Sequence, residues 1–337
     1  MRIYPYTFHP IYKERIWGGR NLQRLFGREL PAGKKIGESW ELADLAEDTS
    51  VLANGPDAGA TLNEMVRNMG EDLLGATLKS SSLEGSTRSP LLLKLLDAEE
   101  ILSLQVHPDA AAAAEIPGAV AKTECWYVLA TSSPSPIERS WGVPSRGGMI
   151  YKGVKPGITA EQFRQAVRDD TAQQVVRRVK VAAGDFHYLP AGVVHALGGG
   201  VVVAEVQTPS DTTFRVTDWG RGRDIHLEES MRCIRFGLTG DQPPGAAGST
   251  LIVTEFFTVK KRSAEALAAA ALPSGICTAV MVLEVAGEAE IRHAGPVEEV
   301  TPISAGQTYL LPAALRDCAI TVRGSASWLE ITLPEGQ

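Results

Sequence analysis

Short apolar runs punctuated by Gly or Pro recur along most of this chain. LLLKLLDA from Leu91, ILSLQVHP from Ile101, ECWYVLA from Glu124, VKVAAGDFHYLPAG from Val179 and GVVVAEVQT from Gly200 are rich in Val, Leu and Ile. So are LIVTEFFTVKK from Leu251, TAVMVLEVAGEAEIR from Thr278, QTYLLPAA from Gln307 and CAITVRGSASWLEITL from Cys318. Runs of this length and composition predict strands, and that many short strands predict a mainly β protein, a barrel or sandwich. Two segments instead carry the helical period. Thr61 is placed to cap TLNEMVRNMGEDLLG, a helix near 61–75, and Thr159 with Gln162 forms a capping-box pattern that opens a helix near 159–179. SSSLEGSTRS at 80–89 reads as a flexible loop and GDQPPGAAGS at 240–249 as a linker, which divides the chain into residues 1–240 and 250–337.

One motif occurs twice. AGDFHYLPAGVVHA from Ala183 overlays AGQTYLLPAALRDC from Ala305, pairing Gly184 with Gly306, Leu189 with Leu311 and Pro190 with Pro312. A repeated G-x(5)-P unit suggests two related β modules. His195 of the first falls opposite Asp317 of the second, so the C-terminal module is expected to be a metal-free β domain if the first binds a metal.

The 337 residues hold 33 Lys+Arg against 40 Asp+Glu, a formal net charge of -7, with 44% hydrophobic residues. The acidic balance argues against a nucleic-acid-binding surface, and ordinary globular usage provides for a substantial core. The four cysteines, Cys125, Cys233, Cys277 and Cys318, make no CxxC pair, and no stretch of about 18 apolar residues occurs. A cytoplasmic protein with no membrane partner, monomeric or weakly self-associating, is expected.

Candidate chemistry sits in three places. Alternation along a strand sends Ser103, Gln105 and His107 to one face while Leu104 and Val106 pack on the other. Lys122 and Glu124 share a face of the next strand, and His195 follows a Pro-Ala-Gly turn. Gln, His, Glu and His form a mixed N/O donor set suited to zinc or another borderline divalent ion, though an isolated His is more often a hydrogen-bonded structural residue. G-x(5)-P-x-G-x-x-H in a β-rich module is a cupin-like pattern, which predicts a jelly-roll first module with helical insertions and a smaller C-terminal β-sandwich.

Several ordered motifs resemble the type I mannose-6-phosphate isomerases (phosphomannose isomerases) in their shorter bacterial form. They are Arg15-Ile16-Trp17-Gly18-Gly19, Gly37-Glu38-Ser39-Trp40-Glu41, Pro90 to Lys94, Leu102 to Pro108, Lys122 to Tyr127, Pro190 to Ala196, and Ser210 to Arg215. The resemblance implies zinc, one ion per chain, on Gln105, His107, Glu124 and His195. It implies catalytic roles for Lys122, Arg215, Glu205 and Asp211, and substrate contacts from Lys94, Ser103 and Trp17, with a small-molecule sugar phosphate as partner. The chain departs from the longer members, which have His-Lys-Pro-Glu where it has Ala121-Lys122-Thr123-Glu124. His187 and His9 are then candidates, by residue type alone, for opening the sugar ring.

The implied reaction moves a proton between C1 and C2 through an enediol, interconverting mannose-6-phosphate and fructose-6-phosphate. It needs a base and a stabiliser for the oxyanion. Arg215 stays protonated and cannot be the base; Lys122 can if its pKa falls toward neutrality beside a cation, with Glu205 and Asp211 as rivals. Other readings remain: a cupin oxygenase using iron, a catalytically silent sugar-binding bicupin, or an isomerase of a different sugar. Trp40 is expected in the core. Arg164, Arg168, Arg177 and Arg178 are expected on the solvated face of the second helix, and Gly198-Gly199-Gly200 is expected to form a tight turn.

Overall fold

A computed structural model of the chain describes residues 1–76, 88–144, 147–294 and 299–334. The protein is mainly β, and the chain divides into two compact units that are not linear domains. One comprises Met1–Ile11, Glu41–Leu92 and Pro243–Gln337; the other comprises Tyr12–Trp40 and Leu93–Gln242. The boundary expected at 240–249 is one of the crossing points, but residues 1–11 and 41–92 group with the C-terminal segment rather than with the rest of 1–240. Most of the loop expected at 80–89 lies outside the described residues.

The unit containing residues 93–242 carries two sheets. In one the strands run in the order Ile11–Gly19, Ile36–Leu42, Leu92–Ala98, Val201–Gln207, Glu124–Thr131, Phe186–Leu189. In the other the order is Phe214–Thr217, Leu104–Val106, His195–Leu197, Gly148–Val154, Val176–Val181. Side-chain alternation sorts this second sheet cleanly. Leu104, Val106, Tyr151, Ala196 and Val216 face a helical layer that supplies Phe163, Val167, Ala172 and Cys233, all buried together. Ile150 and Leu197 point the other way, into a core shared with Trp126, Val128, Val201 and Val203 of the first sheet. Each such fully buried aliphatic side chain contributes about 1.5–3 kcal/mol, which is what holds polar neighbours on the same face in place.

The helices begin where their caps predict. Thr61 and Glu64 form a reciprocal capping box on Leu62–Met69, followed by Glu71–Leu74, and Thr159 with Gln162 does the same for Ala160–Arg168. The second helix stops earlier than expected. After a single turn at Ala172–Val175, residues Val176–Val181 form a strand, in which Arg178 pairs with Tyr151 and Val181 with Gly148. Arg177 and Arg178 are therefore strand residues: the alternation in VRRVKV is satisfied by pairing with Gly148–Val154, and that outweighs the helical propensity of the preceding segment. Four further short helices, Asn21–Phe26, Ala110–Glu115, Pro136–Ser140 and Leu227–Cys233, were not expected.

The turn after His195–Leu197 forms as predicted, and it is no phosphate cradle. The Gly199 N–H donates to Glu138 Oε2 at 2.7 Å, and a Cβ on Gly199 would stand 2.6 Å from the Ser135 nitrogen. Gly200, at φ +77°, completes it.

The other unit is built on an eight-stranded sheet centred on Thr278–His293 and Ala319–Thr332, which pair antiparallel along most of their length. Its core, including Val280, Ile291, Tyr309, Ile320 and Trp328, is apolar. Among the described residues no helix is long and apolar enough to cross a membrane.

Candidate active site

Strand register gathers the polar residues. His195 pairs with Gln105, and Gln105 with Arg215, so the three lie in one row across the second sheet. In the first sheet Glu205 pairs with Trp126 and Gln207 with Glu124, which puts both carboxylates on one face. Ser103 and His107 flank the short strand Leu104–Val106, and Lys122 lies just before Glu124–Thr131 rather than within it. That lead-in is clasped from the opposite side. Thr208 N–H donates to the Thr123 carbonyl and Val120 N–H to Thr212 Oγ1, while Ser210 Oγ donates to the Val120 carbonyl.

At the centre, His107, Glu124 and His195 bring one ligand-type atom each within 4.8 Å of one another, all three fully buried. His195 Nε2 is 3.1 Å from Glu124 Oε1, and His107 Nε2 is 3.3 Å from Glu124 Oε2. The outward ring nitrogens are already committed: His107 Nδ1 is 2.9 Å from the Thr212 carbonyl and His195 Nδ1 2.8 Å from the Val193 carbonyl. A carbonyl can only accept, so Nδ1 carries a proton in both rings, and in each ring Nε2 is the nitrogen turned toward Glu124. His107 Nε2 and both Glu124 oxygens are buried without a well-directed hydrogen bond, a costly arrangement that a cation would relieve. The Gln105 amide sits 3.3 Å from His195 Nε2.

Beside this cluster lies a cavity of about 370 Å³. It is lined by Arg15, Trp17, Glu38, Lys94, Leu96, Leu102, Ser103, Gln105, Lys122, Glu205, Asp211, Thr213, Arg215 and Arg223. Gln105 and Lys122 join it to the centre, the latter through a 2.9 Å ion pair to Glu124 Oε2. Along its wall charges alternate. Arg15 Nε donates to Glu38 Oε1 at 2.6 Å, Lys94 Nζ lies 3.8 Å from Glu38 and 3.4 Å from Glu205, and Trp126 Nε1 donates to Glu205 Oε2 at 2.8 Å. Trp40 is buried beneath, giving its indole N–H to Glu38 Oε2 and its ring face to the Lys94 ammonium at 4.9 Å.

Protonation follows from these neighbours. Burial pushes His107 down to about 3, helped by Lys122, so it is neutral. Burial opposes the Glu124 anion, but Lys122 and His107 outweigh it and hold the carboxyl well below its ordinary range. Glu205 is raised, by burial and then by Glu124, against the pull of Lys94 and Lys122. Lys122 departs from expectation. Burial disfavours its charge, yet Glu124, Glu205 and Asp211 surround it and its pKa is raised, not lowered toward neutrality.

The structure thus brings together every residue expected from the sequence at the centre or in the cavity wall. It leaves out the two ring-opening candidates, since neither His9 nor His187 lines the cavity. His187 stands across from Trp126 and is pushed down to about 4 by burial and then by Lys152. Arg15, Glu38, Thr213 and Arg223 also line the cavity and were not expected there. Arg15 and Glu38 stood inside quoted motifs, and their mutual hydrogen bond is a contact between strands that linear spacing does not reveal.

Fold and site together define a cupin enzyme with a candidate metal centre opening on a cationic cavity. Residues 6–135 match the family model "Phosphomannose isomerase type I, catalytic domain". The chain is 36% identical over 275 residues to mannose-6-phosphate isomerase ManA of Bacillus subtilis, covering 77% of this chain and 80% of that protein. It is 34% identical over 260 residues to mannose-6-phosphate isomerase of Streptococcus mutans, covering 74% and 75%. The crystal structure of the Bacillus subtilis mannose 6-phosphate isomerase superposes with a TM-score of 0.80 at 26% identity, over 97% of this chain and 99% of that one. The chain belongs to the type I phosphomannose isomerase family and is an isomerase.

Proposed function

We propose that this enzyme interconverts mannose-6-phosphate and fructose-6-phosphate through an enediol, with one zinc ion held by His107, Glu124, His195 and the amide oxygen of Gln105. The observation that carries the reading is the buried triad, whose His107 Nε2 has no hydrogen-bond partner and whose Glu124 carboxylate is shared among His107, His195 and Lys122, beside a cavity whose charged side chains are ion-paired around Lys94 and Lys122. Two imidazoles and a carboxylate are a borderline-metal donor set, and the outward Nδ1 hydrogen bonds to carbonyls leave Nε2 as the nitrogen available to a metal. Bound there, zinc supplies a Lewis acid for the vicinal oxygens of the substrate.

The protein's own groups supply the rest. Glu205, raised by burial and held by Trp126 Nε1, is the proposed base that takes the proton between C1 and C2. Lys122, an ammonium among three carboxylates, donates to the oxygen that gains charge. A cation on Glu124 would offset the largest influence raising Lys122, so the base assignment between Lys122 and Glu205 is decided by proton exchange in variants, described below. Arg215 stays charged and stabilises the enediolate or phosphate with its planar fork. Lys94, Ser103 and Trp17 line the bound sugar, and Asp211 faces Lys122. The four free, buried cysteines suit a reducing, cytoplasmic setting.

The test is a coupled isomerase assay across aldose phosphates and free aldoses, with metal measured on the same sample. Turnover of mannose-6-phosphate that disappears on chelation and returns with zinc is the expected result. Full activity in a rigorously metal-free preparation would sink the metal assignment, and no turnover by the zinc-loaded protein would sink the reaction.

A further inference from the structure

The loop from Arg215 to His226 carries more charge than this reaction uses. Its ends are tied together: Arg215 N–H donates to His226 Nδ1 at 3.1 Å, and His226 N–H donates to the Arg215 carbonyl at 2.7 Å. At its centre is Asp218, 3% exposed. This one carboxylate accepts from Arg221 Nη2 at 2.8 Å and from Arg223 through both Nε, at 2.8 Å, and Nη2, at 2.5 Å. Arg221 Nη1 goes on to the Ile101 carbonyl at 2.7 Å, anchoring the loop outside itself.

Three guanidinium groups therefore crowd a buried carboxylate and the exposed Asp224. Of the group, Arg215 and Arg223 line the cavity, while Asp218 and Arg221 do not. Arg215 Nε is buried without a partner. Arg223 spends one edge of its fork on Asp218, which leaves the Nη1 edge in a fixed orientation. A guanidinium immobilised on one side by a bidentate carboxylate is pre-organised to grip a tetrahedral oxyanion with the other. Two cations that line one cavity favour an anion placed between them.

We propose that Arg223, held by Asp218, reads the phosphate group of the substrate and makes the site selective for phosphorylated over free sugars, with Asp218 as its positioning residue. The proposal rests on the sugar-phosphate reading above but goes beyond the roles assigned there. Arg223 touches the ligand, and Asp218 acts only through Arg223. It follows that the effects of changing the two are not additive.

The experiment uses the zinc-loaded full chain with Arg223→Gln, Arg223→Lys, Asp218→Asn and the double variant Asp218→Asn/Arg223→Gln. Calorimetry with inorganic phosphate and kinetics on hexose 6-phosphate and free hexose are read in parallel. Arg223→Gln weakens inorganic phosphate at least tenfold and costs the sugar phosphate at least tenfold more than the free sugar, with the loss on KM exceeding that on kcat. Arg223→Lys recovers part of it. Asp218→Asn moves the same quantities in the same direction, and the double variant is no worse than Arg223→Gln alone. Phosphate binding at parental strength in Arg223→Gln overturns the proposal, as does a proportional loss on phosphorylated and free sugar. An additive double variant overturns the positioning role. If Asp218→Asn fails to fold, the two Arg223 variants still decide the phosphate contact, and Asp218→Glu, which keeps the carboxylate, decides its positioning. A parent that binds phosphate through Arg223 yet isomerises no sugar would fail the isomerase reading and leave this one standing.

Discussion

The turn units that begin at Gly184 and Gly306 share a backbone plan and enclose opposite chemistry. Both glycines have positive φ, and each unit runs through a strand ending in a buried leucine, Leu189 or Leu311, into a proline turn. The first delivers His195, 1% exposed, to a centre with His107 and Glu124 and a cavity wall containing Lys94, Lys122 and Glu205. At the matching position of the second stands Asp317, exposed and at φ +52° in the left-handed region that Asp tolerates. Behind it lies the apolar core of Val280, Ile291, Tyr309, Ile320 and Trp328. Burying an ion costs several kcal/mol unless it is paired, so the first arrangement persists only because its charges neutralise one another and because strands on both faces hold them there. A repeated motif transmits a scaffold; the function depends on what the strands opposite contribute.

The sharpest break of that contrast is His107→Ala. It should remove the metal and cost more than the roughly 10⁴-fold that one acid–base group supplies, since polarisation of the substrate is lost with the ion. Metal content and turnover measured together check it; retained zinc with a modest loss would mean the ligand set is wrong. Next come Glu205→Gln and Lys122→Met, each expected to lower kcat by roughly 10²–10⁴ with zinc still bound. Exchange of the C1 proton of fructose-6-phosphate with solvent, followed by NMR, separates them. Only the base variant stops exchanging, and parental exchange in Glu205→Gln would transfer the role to Lys122.

Arg215→Lys keeps a charge but loses the fork, and should cost roughly 3–4 kcal/mol, about two to three decades in rate, without moving the alkaline limb of the pH profile. A smaller effect reads the fold. His187 titrates near 4 in the folded chain against an ordinary value of 6.5. The unfolded chain therefore takes up this proton first, so the stabilisation is complete above about 6.5, erodes as pH falls and is gone below about 4. His187→Gln should flatten the fall of the urea midpoint in that window by an amount on the order of 2 kcal/mol or less. Smallest of all, Asp317→His should leave metal stoichiometry at one ion per chain, because no Gln-x-His precedes the second turn. A second tightly bound ion in that variant would show that the turn alone suffices.

Much of this was legible locally. The alternation in Ser103-Leu104-Gln105-Val106-His107 fixed which residues face inward, and Thr61 and Thr159 named the helix starts, because a strand's pleat and a cap's hydrogen bonds depend only on near neighbours. The end of the second helix was not, since pairing of Arg178 with Tyr151 and Val181 with Gly148 requires a partner strand distant in sequence.

The sequence by itself determined the strand-rich class, the inward faces and the donor types Gln105, His107, Glu124 and His195. Only the tertiary structure decided the rest. The positive neighbourhood of Arg215 and Arg223, the bond between Arg15 and Glu38, and the raised pKa of Lys122 all follow from groups brought close by folding. Coulomb energies and desolvation depend on distance in space, and the spacing of residues along a chain does not contain it.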